Sequence, residues 1–508
     1  MRRLLSTAAA ILLASFVTFA EARAQISLSS SGGATIGATT TMTVSATPGT
    51  QFLLIVSLNG GPTPLPPPHQ PSSLDVGFDL VAYFSIPPFL GTVGASPTNI
   101  PLLIPALPAI DALTLHFQAV RIVGPRIDGK SNAWLLTPAF SEEVEPTLGT
   151  MSQRRASLQL IREPSGSVLV IGGGADGIVA SYGQRGIDRY DPGTQTFTHI
   201  ADMQRPRSGH TATQLLDGRI LIAGGAEDVN GEPQATAEIF NPTTLVSTPV
   251  GSMATKRGLH TASLLPDGRV LIVGGTTSYA NPAAIILGAQ SSTEIFNPAT
   301  NTFSAGPSTP TGIIGHTATT LLNNKVLIIG GYQNTLSISN KALLYTPVNG
   351  AMGSFSSAIT MNSDRFGHAA VRLPNGDVVI GGGAIDAGFL NSQATASVEL
   401  FHAATSTFTP DGLLSVARGA LAGALLPSGD VVFAGGATGS VATPTGDATV
   451  DVYQPGTGAL LSSTVCMHSR GYGAAIPLLD GTVLIVGGGE DTSGGSPISW
   501  DDAELFHP

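Results

Sequence analysis

Residues 257–275 read RGLHTASLLPDGRVLIVGG, and versions of this phrase recur from residue 155 to the C-terminus. The phrase joins a short polar stretch, an Asp-Gly pair, a continuous apolar run and a closing pair of glycines. Self-similarity at a nearly constant period is typical of a repeat architecture. The chain therefore contains seven units, whose aligned copies end at Gly173, Gly225, Gly275, Gly331, Gly383, Gly436 and Gly488.

Each unit predicts four β-strands. An Asp-Gly pair such as Asp267-Gly268 favours a two-residue hairpin turn between strands one and two, because both positions tolerate positive φ angles. The apolar run 270–273 is typical of a strand covered on both faces. A variable loop, a third strand with an aromatic residue and a fourth strand follow. The third-strand aromatics are Tyr190, Phe240, Phe296, Tyr345, Phe401, Tyr453 and Phe506.

Seven units of four strands predict a seven-bladed β-propeller. The double glycine and the aromatics on strands three and four resemble the kelch repeat, with Phe197, Phe303 and Phe408 at the fourth-strand position where that family usually has Trp. The resemblance covers about 350 residues. We interpret the closing glycine pairs as structural, including Gly224, Gly225, Gly274, Gly275, Gly330, Gly331, Gly435 and Gly436.

The kelch-type propellers include a copper-radical oxidase family, the galactose-oxidase-like enzymes. That chemistry needs a Tyr-Cys crosslink, further Tyr and His ligands, and a domain after the propeller. The single cysteine, Cys466, lies at the entry to the last blade, and the sequence ends with that blade. The resemblance therefore implies a distantly related propeller without the oxidase site, and we assign no catalytic residue.

The first residues follow the pattern of a secretory leader. Arg2 and Arg3 precede an apolar stretch at 4–20 and a small-residue cleavage site at 22–24. We expect residues 1–24 to be a signal peptide of a bacterial protein that is exported to the periplasm, the cell surface or the medium. The mature chain, from Gln25, contains no stretch long enough to be a transmembrane segment.

Residues 25–138 do not share the repeat, and Thr and Val alternate there in the manner of strands. We predict a small all-β, sandwich-like module followed by the propeller at 139–508. The last unit ends just after its third strand, so we expect residues 139–150 to supply its fourth and close the ring.

The formal net charge is -11, and charged residues make up only 11% of the chain. Proteins that bind nucleic acid or anionic lipid need a positively charged surface. The charge therefore argues against both as the main ligand.

Six units carry an arginine before the first strand and an acid two residues before the third-strand aromatic. The fourth unit has Ile313 and Leu343 instead, and this joint loss favours a structural ion pair. A ring of guanidinium groups that captures a carboxylate ligand is the alternative. The pairs are Arg155 with Asp188, Arg207 with Glu238, Arg257 with Glu294, Arg365 with Glu399, Arg418 with Asp451, and Arg470 with Glu504.

Four units also carry a histidine three residues after the arginine position: His210, His260, His316 and His368. Repeat packing is the favoured interpretation and a metal site is the alternative, because each imidazole belongs to a different blade.

The loops that follow the double glycines are long and variable and emerge on one face, which we take as the binding surface. Carboxylates in such loops suit Ca²⁺, but solvated loop acids are the favoured interpretation, because the loops contain no ordered calcium-loop motif. We assign no metal and no cofactor beyond this Ca²⁺ hypothesis. The candidate ligand-binding residues are Glu227, Asp228, Asp386, Glu490 and Asp491.

These observations favour an exported recognition or scaffold protein whose loops bind a carbohydrate or another exported or surface protein. An exported sugar-modifying enzyme, mutarotase-like or oxidase-like, is one alternative. A structural envelope or matrix protein is another. Fold alone does not choose among them.

Overall fold

The computed structural model describes residues 143–508 except 176–182, 228–231, 388–391, 441–442 and 491–497, and ten strands before residue 143. The chain divides into two compact units, residues 1–141 with Pro508, and residues 142–507. The predicted leader lies outside the described residues.

The described part of the first unit consists of antiparallel strands. Strands β1, β2 and β7 form one sheet, strands β10, β8, β3 and β6 form a second with β9 on β8, and β4 pairs with β5. The expected all-β character is confirmed. The strands are β1 (Ser27–Ser31), β2 (Thr39–Ser45), β3 (Gln51–Ser57), β4 (Gly60–Pro64), β5 (Ser73–Val76), β6 (Leu90–Thr92), β7 (Thr98–Leu103), β8 (Leu115–Val123), β9 (Arg126–Lys130) and β10 (Trp134–Leu136).

The second unit begins with β11 (Glu143–Pro146), and seven antiparallel blades follow it. Blade 1 contains β12 (Gln159–Arg162), β13 (Val168–Ile171), β14 (Gln184–Asp191) and β15 (Thr196–Arg207). Blade 2 contains β16 (Thr211–Gln214), β17 (Ile220–Ala223), β18 (Ala237–Asn241) and β19 (Val246–Pro249). Blade 3 contains β20 (Thr261–Leu264), β21 (Val270–Val273), the short helix α1 (Pro282–Leu287), β22 (Thr293–Asn297) and β23 (Thr302–Ala305).

The later blades add small hairpins to the same plan. Blade 4 contains β24 (Ile313–Ile314), β25 (Thr317–Thr320), β26 (Val326–Ile329), β27 (Tyr332–Gln333), β28 (Lys341–Val348), β29 (Ala351–Phe355) and β30 (Ile359–Thr360). Blade 5 contains β31 (Ala369–Arg372), β32 (Val378–Gly381), β33 (Ala384–Ile385), β34 (Gln393–Ala394), β35 (Ser397–His402) and β36 (Thr407–Leu413). Blade 6 contains β37 (Ala422–Leu425), β38 (Val431–Ala434), β39 (Ala437–Ser440), β40 (Thr443–Gly446), β41 (Thr449–Gln454) and β42 (Ala459–Val465). Blade 7 contains β43 (Ala474–Pro477), β44 (Val483–Val486), β45 (Gly489–Glu490), β46 (Ile498–Ser499) and β47 (Ala503–His507).

The innermost strands form a closed ring, in which each contacts the next and β43 contacts β12. The seven-bladed β-propeller is therefore confirmed. Strand β11 pairs antiparallel with β47, placing Val144 opposite Phe506. Blade 7 thus takes its outermost strand from the residues that precede blade 1, which pairs an edge that β47 would otherwise expose.

The core lies between neighbouring blades. All seven second strands are buried along their length, and all seven third-strand aromatics are fully buried. One cluster, for example, joins Ile187 of β14 to Phe240 of β18 in the next blade. Burial on both faces explains why the second strands are continuously apolar. In the part of the chain that the structure describes, no helix has the length and apolarity of a membrane span.

The double glycines connect the blades through backbone hydrogen bonds. The N–H of the second glycine donates to the carbonyl of the residue that opens the next blade, as in Gly225 to Arg257 at 2.8 Å. All seven blades do this at 2.8 to 3.1 Å, and Gly488 closes the circle on Arg155. A Cβ on the first glycine of a pair would meet the same carbonyl: at Gly224 it would lie 2.4 Å from Arg257 O. Only glycine therefore fits.

The predicted two-residue hairpin turn is wrong. In blade 2, Gly218 N donates to Leu215 O at 3.0 Å and Leu215 N donates to Arg219 O at 2.7 Å, which encloses a three-residue loop. Gly218 has φ +84°, whereas Asp217 does not have a positive φ. The connection is a β-turn followed by one left-handed residue, which is glycine in six blades and Asn324 in blade 4, so only one position needs a positive φ.

We expect Gly224→Ala to lower the free energy of unfolding by about 3 kcal/mol, because the new methyl group would overlap Arg257 O and φ is +64°. Gly218→Ala is the matched control, with positive φ but nothing within 4 Å of the added Cβ, and should cost about 1 kcal/mol. Urea denaturation followed by circular dichroism measures both. Equal losses would contradict the close approach between blades.

Candidate functional site

The arginine and acid of the repeat meet in all six blades that carry them. Nitrogen-to-oxygen distances run from 2.5 Å for Arg470–Glu504 to 3.2 Å for Arg257–Glu294. The other pairs are Arg155–Asp188, Arg207–Glu238, Arg365–Glu399 and Arg418–Asp451. The six guanidinium groups are 0 to 1% exposed. They therefore do not form a solvent-facing ring for a carboxylate ligand.

Each acid also accepts a backbone hydrogen bond from the segment that connects the preceding blade to its own. Glu238, on β18, accepts the backbone N–H of Gln204 at 2.7 Å, and the other five acids accept an equivalent bond. Arg207 in turn donates to Gly224 O at 2.6 Å. The pair thus joins the third strand, the double glycine and the connection between blades.

Blade 4 reaches the same geometry without charge. Ile313 and Leu343 are both buried and belong to one apolar cluster. Gly275 N still donates to Ile313 O at 2.9 Å, so the backbone circle is unbroken. A packed apolar pair therefore replaces the ion pair at this position.

Burial sets the ionisation behaviour around these pairs. It lowers the pKa of Arg207 and of Arg257, an effect that Glu238 and Glu294 oppose. Burial, with a smaller contribution from Glu504, raises the pKa of the Cys466 thiol to about 12. Cys466 is therefore protonated at neutral pH and is not an activated nucleophile.

The four histidines are buried between blades rather than gathered at one point. His260 Nε2 lies 2.9 Å from Thr211 Oγ1 of the preceding blade, and His316 and His368 repeat this contact with Thr261 and Thr317. Where the next blade has Leu421, the threonine position is Ala369. The described residues contain no group of three or more His, Cys, Asp or Glu able to hold a metal ion.

The loops after the double glycines form one face, which we call the loop face. Neighbouring loops contact each other there: α1 meets β27, β34 meets β39, and β40 meets β45. Asn281 caps α1 by accepting Ala284 N at 2.9 Å, and Ile285 and Ile286 are buried beneath it. The described parts of these loops are thus packed surfaces.

The predicted loop acids do not converge. Glu227 forms an ion pair with Arg205 at 2.7 Å, and Glu490 accepts a hydrogen bond from Ser469. Asp386 is exposed, and its backbone N–H donates to Asp364 Oδ2 at 2.7 Å. These three belong to blades 2, 7 and 5. Asp228 and Asp491 lie outside the described residues.

The inner rim of the loop face consists of one residue from each blade: Ser157, Gly209, Leu259, Gly315, Gly367, Ala420 and Tyr472. All seven have positive φ, between 52° and 63°. At five of the seven junctions between rim residues a backbone N–H donates to the neighbouring carbonyl, as in Tyr472 to Ala420 at 3.1 Å. The rim is therefore a rigid, mostly small-residue surface.

Tyr279, from the blade 3 loop, reaches this rim. Its side chain is 7% exposed, and a Cβ on Gly209 or Gly258 would lie 2.6 or 2.2 Å from its hydroxyl oxygen. Among the described residues this hydroxyl has no hydrogen-bond partner. Burial raises its pKa far above the ordinary value, and Tyr472 adds to the rise. The phenol is therefore a neutral, unused donor at the rim.

The role of Tyr279 was not predicted from the sequence, and neither was a second group, in blade 7. There His468 Nδ1 lies 2.7 Å from Asp502 Oδ2, and the imidazole stacks on Trp500. The signal available in the sequence was that blade 7 alone places His and Asp at these two repeat positions.

An open cleft of ≈ 350 Å³ lies on the opposite face, among the hairpin turns of blades 3 and 4. Asp267 in its wall already binds Arg269 at 2.7 Å and accepts Gly350 N at 3.1 Å. Its acidic group is thus engaged within the protein, so we place the candidate site on the loop face.

The fold defines a seven-bladed β-propeller protein with its variable loops on one face. No protein-family model matches the sequence. No curated protein matches it either.

Among solved structures, the chain is similar to a fungal alcohol oxidase of the AA5 family in complex with copper, with TM-score 0.56 and 18% identity over 72% of this chain and 76% of that one. It is also similar to YjhT, with TM-score 0.46 and 14% identity over 70% of this chain and 95% of that one. At these identities the likeness to the oxidase shows the fold alone.

We expect Arg257→Ile or Glu294→Leu alone to cost about 3 to 5 kcal/mol, because each leaves a buried charge unpaired. The double variant reproduces blade 4 and should lose less than the sum of the two. Arg205→Ala, at an exposed pair, should cost less than about 1 kcal/mol. Urea unfolding checks all four, and additivity of the single changes would contradict the pairing.

The buried histidines predict acid lability. Burial lowers the pKa of His210 to about 3 and of His316 to about 4, and places His260 and His368 well below 6.5. The unfolded chain binds these protons near pH 6.5, so stability is complete above that pH and falls below it by about 1.4 kcal/mol per pH unit for each histidine.

His368→Leu with Thr317→Ala reproduces the combination found between blades 5 and 6. Between pH 4.5 and 6 this double variant should lose the contribution of one histidine, about 1.4 kcal/mol per pH unit, from the pH dependence of the free energy of unfolding. Thr317→Ala alone should lower stability and leave the slope unchanged. Urea unfolding across this pH range measures it, and identical slopes in all variants would refute the assignment.

Proposed function

We propose that this chain is an exported bacterial recognition protein of the kelch-repeat type, which binds a carbohydrate on the loop face. The alternative that the experiment must distinguish is a protein partner bound at the same face. The observation that carries the proposal is the Tyr279 hydroxyl at the edge of the rim, which has no hydrogen-bond partner among the described residues although the Tyr279 side chain is only 7% exposed.

The chemistry of the rim suits a sugar. Aromatic rings contact the C–H faces of a sugar, while neutral phenols exchange hydrogen bonds with its hydroxyl groups. Tyr279 and Tyr472 are the phenols of this rim, and Tyr279 packs over the rim residue Gly209. A fixed rim also lowers the entropy lost on binding.

The variant Tyr279→Phe tests carbohydrate binding without changing the stability of the fold. Because the hydroxyl has no described partner, we expect unchanged stability but a carbohydrate affinity reduced by about tenfold, the equivalent of one hydrogen bond of about 1.4 kcal/mol. Tyr345→Phe is the matched control: its hydroxyl accepts Gly353 N at 3.2 Å inside blade 4, so it should lose stability and keep binding.

The assay is a thermal-shift screen of the mature chain against sugars, sugar acids and Ca²⁺, since a ligand that binds the native state raises Tm. A saturable shift with a sugar, weakened by Tyr279→Phe, supports the proposal. A shift with Ca²⁺ alone favours a loop cation site. No shift with any compound favours a protein partner or a structural role.

A further inference from the structure

Blade 7 departs from the other blades beside its ion pair. Two residues before the arginine it carries His468, and two residues before the acid it carries Asp502. The other ion-paired blades combine no imidazole and carboxylate there, and blades 2, 3 and 5 use the hydroxyls of Thr236, Ser292 and Ser397 to bind the arginine. The repeat fold therefore does not require the His468–Asp502 pair.

Asp502 orients the imidazole. One carboxylate oxygen accepts Nη2 of buried Arg470 at 2.9 Å, and the other lies 2.7 Å from His468 Nδ1. Because a carboxylate accepts hydrogen bonds, Nδ1 carries the proton of the neutral imidazole, and Nε2 then keeps its lone pair. The tautomer is thus set by a group that Arg470 itself holds in place.

Trp500 fixes the plane of the ring. Its indole stacks on the imidazole with centroids 4.0 Å apart and an interplanar angle of 16°. The indole Nε1 donates to Ser469 O at 2.8 Å, which anchors the stack to the chain beside His468. Both rotation and tautomer of the imidazole are therefore restricted before any ligand arrives.

The other solvent-reaching histidines of the described chain have a polar atom within 3.7 Å of each ring nitrogen. His199 faces Asp188 and Asp202 at 3.1 and 3.7 Å. His402 faces Asp377 at 3.4 Å and Thr409 Oγ1 at 3.0 Å. The side chain of His468 is 34% exposed, and no described residue engages its Nε2.

We propose that His468 Nε2 is a proton-accepting subsite for a hydroxyl group of the bound carbohydrate, at the junction of the blade 6 and blade 7 loops. The inference rests on the proposed function, because it places one more loop-face residue against that ligand. His468 accepts the hydroxyl hydrogen bond, and Asp502 and Trp500 are positioning residues.

Diethyl pyrocarbonate tests the free lone pair without a carbohydrate, since it transfers an ethoxycarbonyl group to an unprotonated imidazole nitrogen and releases ethanol and carbon dioxide. Peptide mass spectrometry of the mature chain gives the rate at each histidine. We expect His468 to react faster than His199 and His402. Equal or slower reaction at His468 would overturn the inference.

Asp502→Asn is the decisive variant. Arg470 still requires an acceptor, so the amide oxygen turns to Arg470 and the amide N–H₂ faces His468 Nδ1, which moves the imidazole proton to Nε2. We expect the rate at His468 to fall by about tenfold. Folding should survive, because Arg470 keeps Glu504 at 2.9 Å, and Tm checks this. Asp501→Asn, the adjacent control, should leave the rate unchanged.

The sugar that raises Tm in the screen then links the two proposals. Protection of His468 from the reagent by that sugar, with weaker binding by His468→Gln, supports the inference. Binding without protection overturns the inference and leaves the proposed function standing. A reactive His468 with no sugar bound overturns the proposed function and the carbohydrate assignment together.

Discussion

The propeller depends on a circle of seven backbone hydrogen bonds, from the second glycine of each blade to the carbonyl that opens the next. The bond requires close approach of two backbones, which a Cβ on the first glycine would prevent. Because these donors and acceptors are buried, leaving any one unpaired would be costly. The paired glycines therefore connect the blades as well as ending a strand.

The buried arginines organise the same junction. Each guanidinium binds the acid of the third strand, and in five of the six blades it also reaches the first glycine's carbonyl, while the acid holds the incoming connection. The apolar pair of blade 4 shows that the charges themselves are dispensable at one junction. Desolvation offsets much of the attraction within a buried ion pair, so the net contribution of these pairs to stability is small. We therefore interpret them as fixing the position of the backbone where one blade connects to the next.

The proposed binding residues are departures from the repeat. The rim and junctions make a rigid frame, and individual loops place single side chains against it, as Tyr279 does over Gly209 and Gly258. Blade 7 replaces a hydroxyl that binds arginine by a carboxylate that also orients His468. A rigid scaffold with variable loops allows such groups to be added without altering the ring.

The sequence by itself determined the number of blades, the buried second strands and the partners Arg257 and Glu294, because these features recur at a constant spacing and the loss in blade 4 tests the pairing. It misjudged the hairpin turn, since Asp-Gly fits both a two-residue loop and a three-residue loop with one left-handed glycine. Only the tertiary structure decided which side chains meet on the loop face. Glu227 and Glu490 lie in different blades and have separate partners, whereas His468 and Asp502, far apart in sequence, are in contact. The reason is that contacts between variable loops depend on how the closed ring positions each blade and not on the period of the repeat.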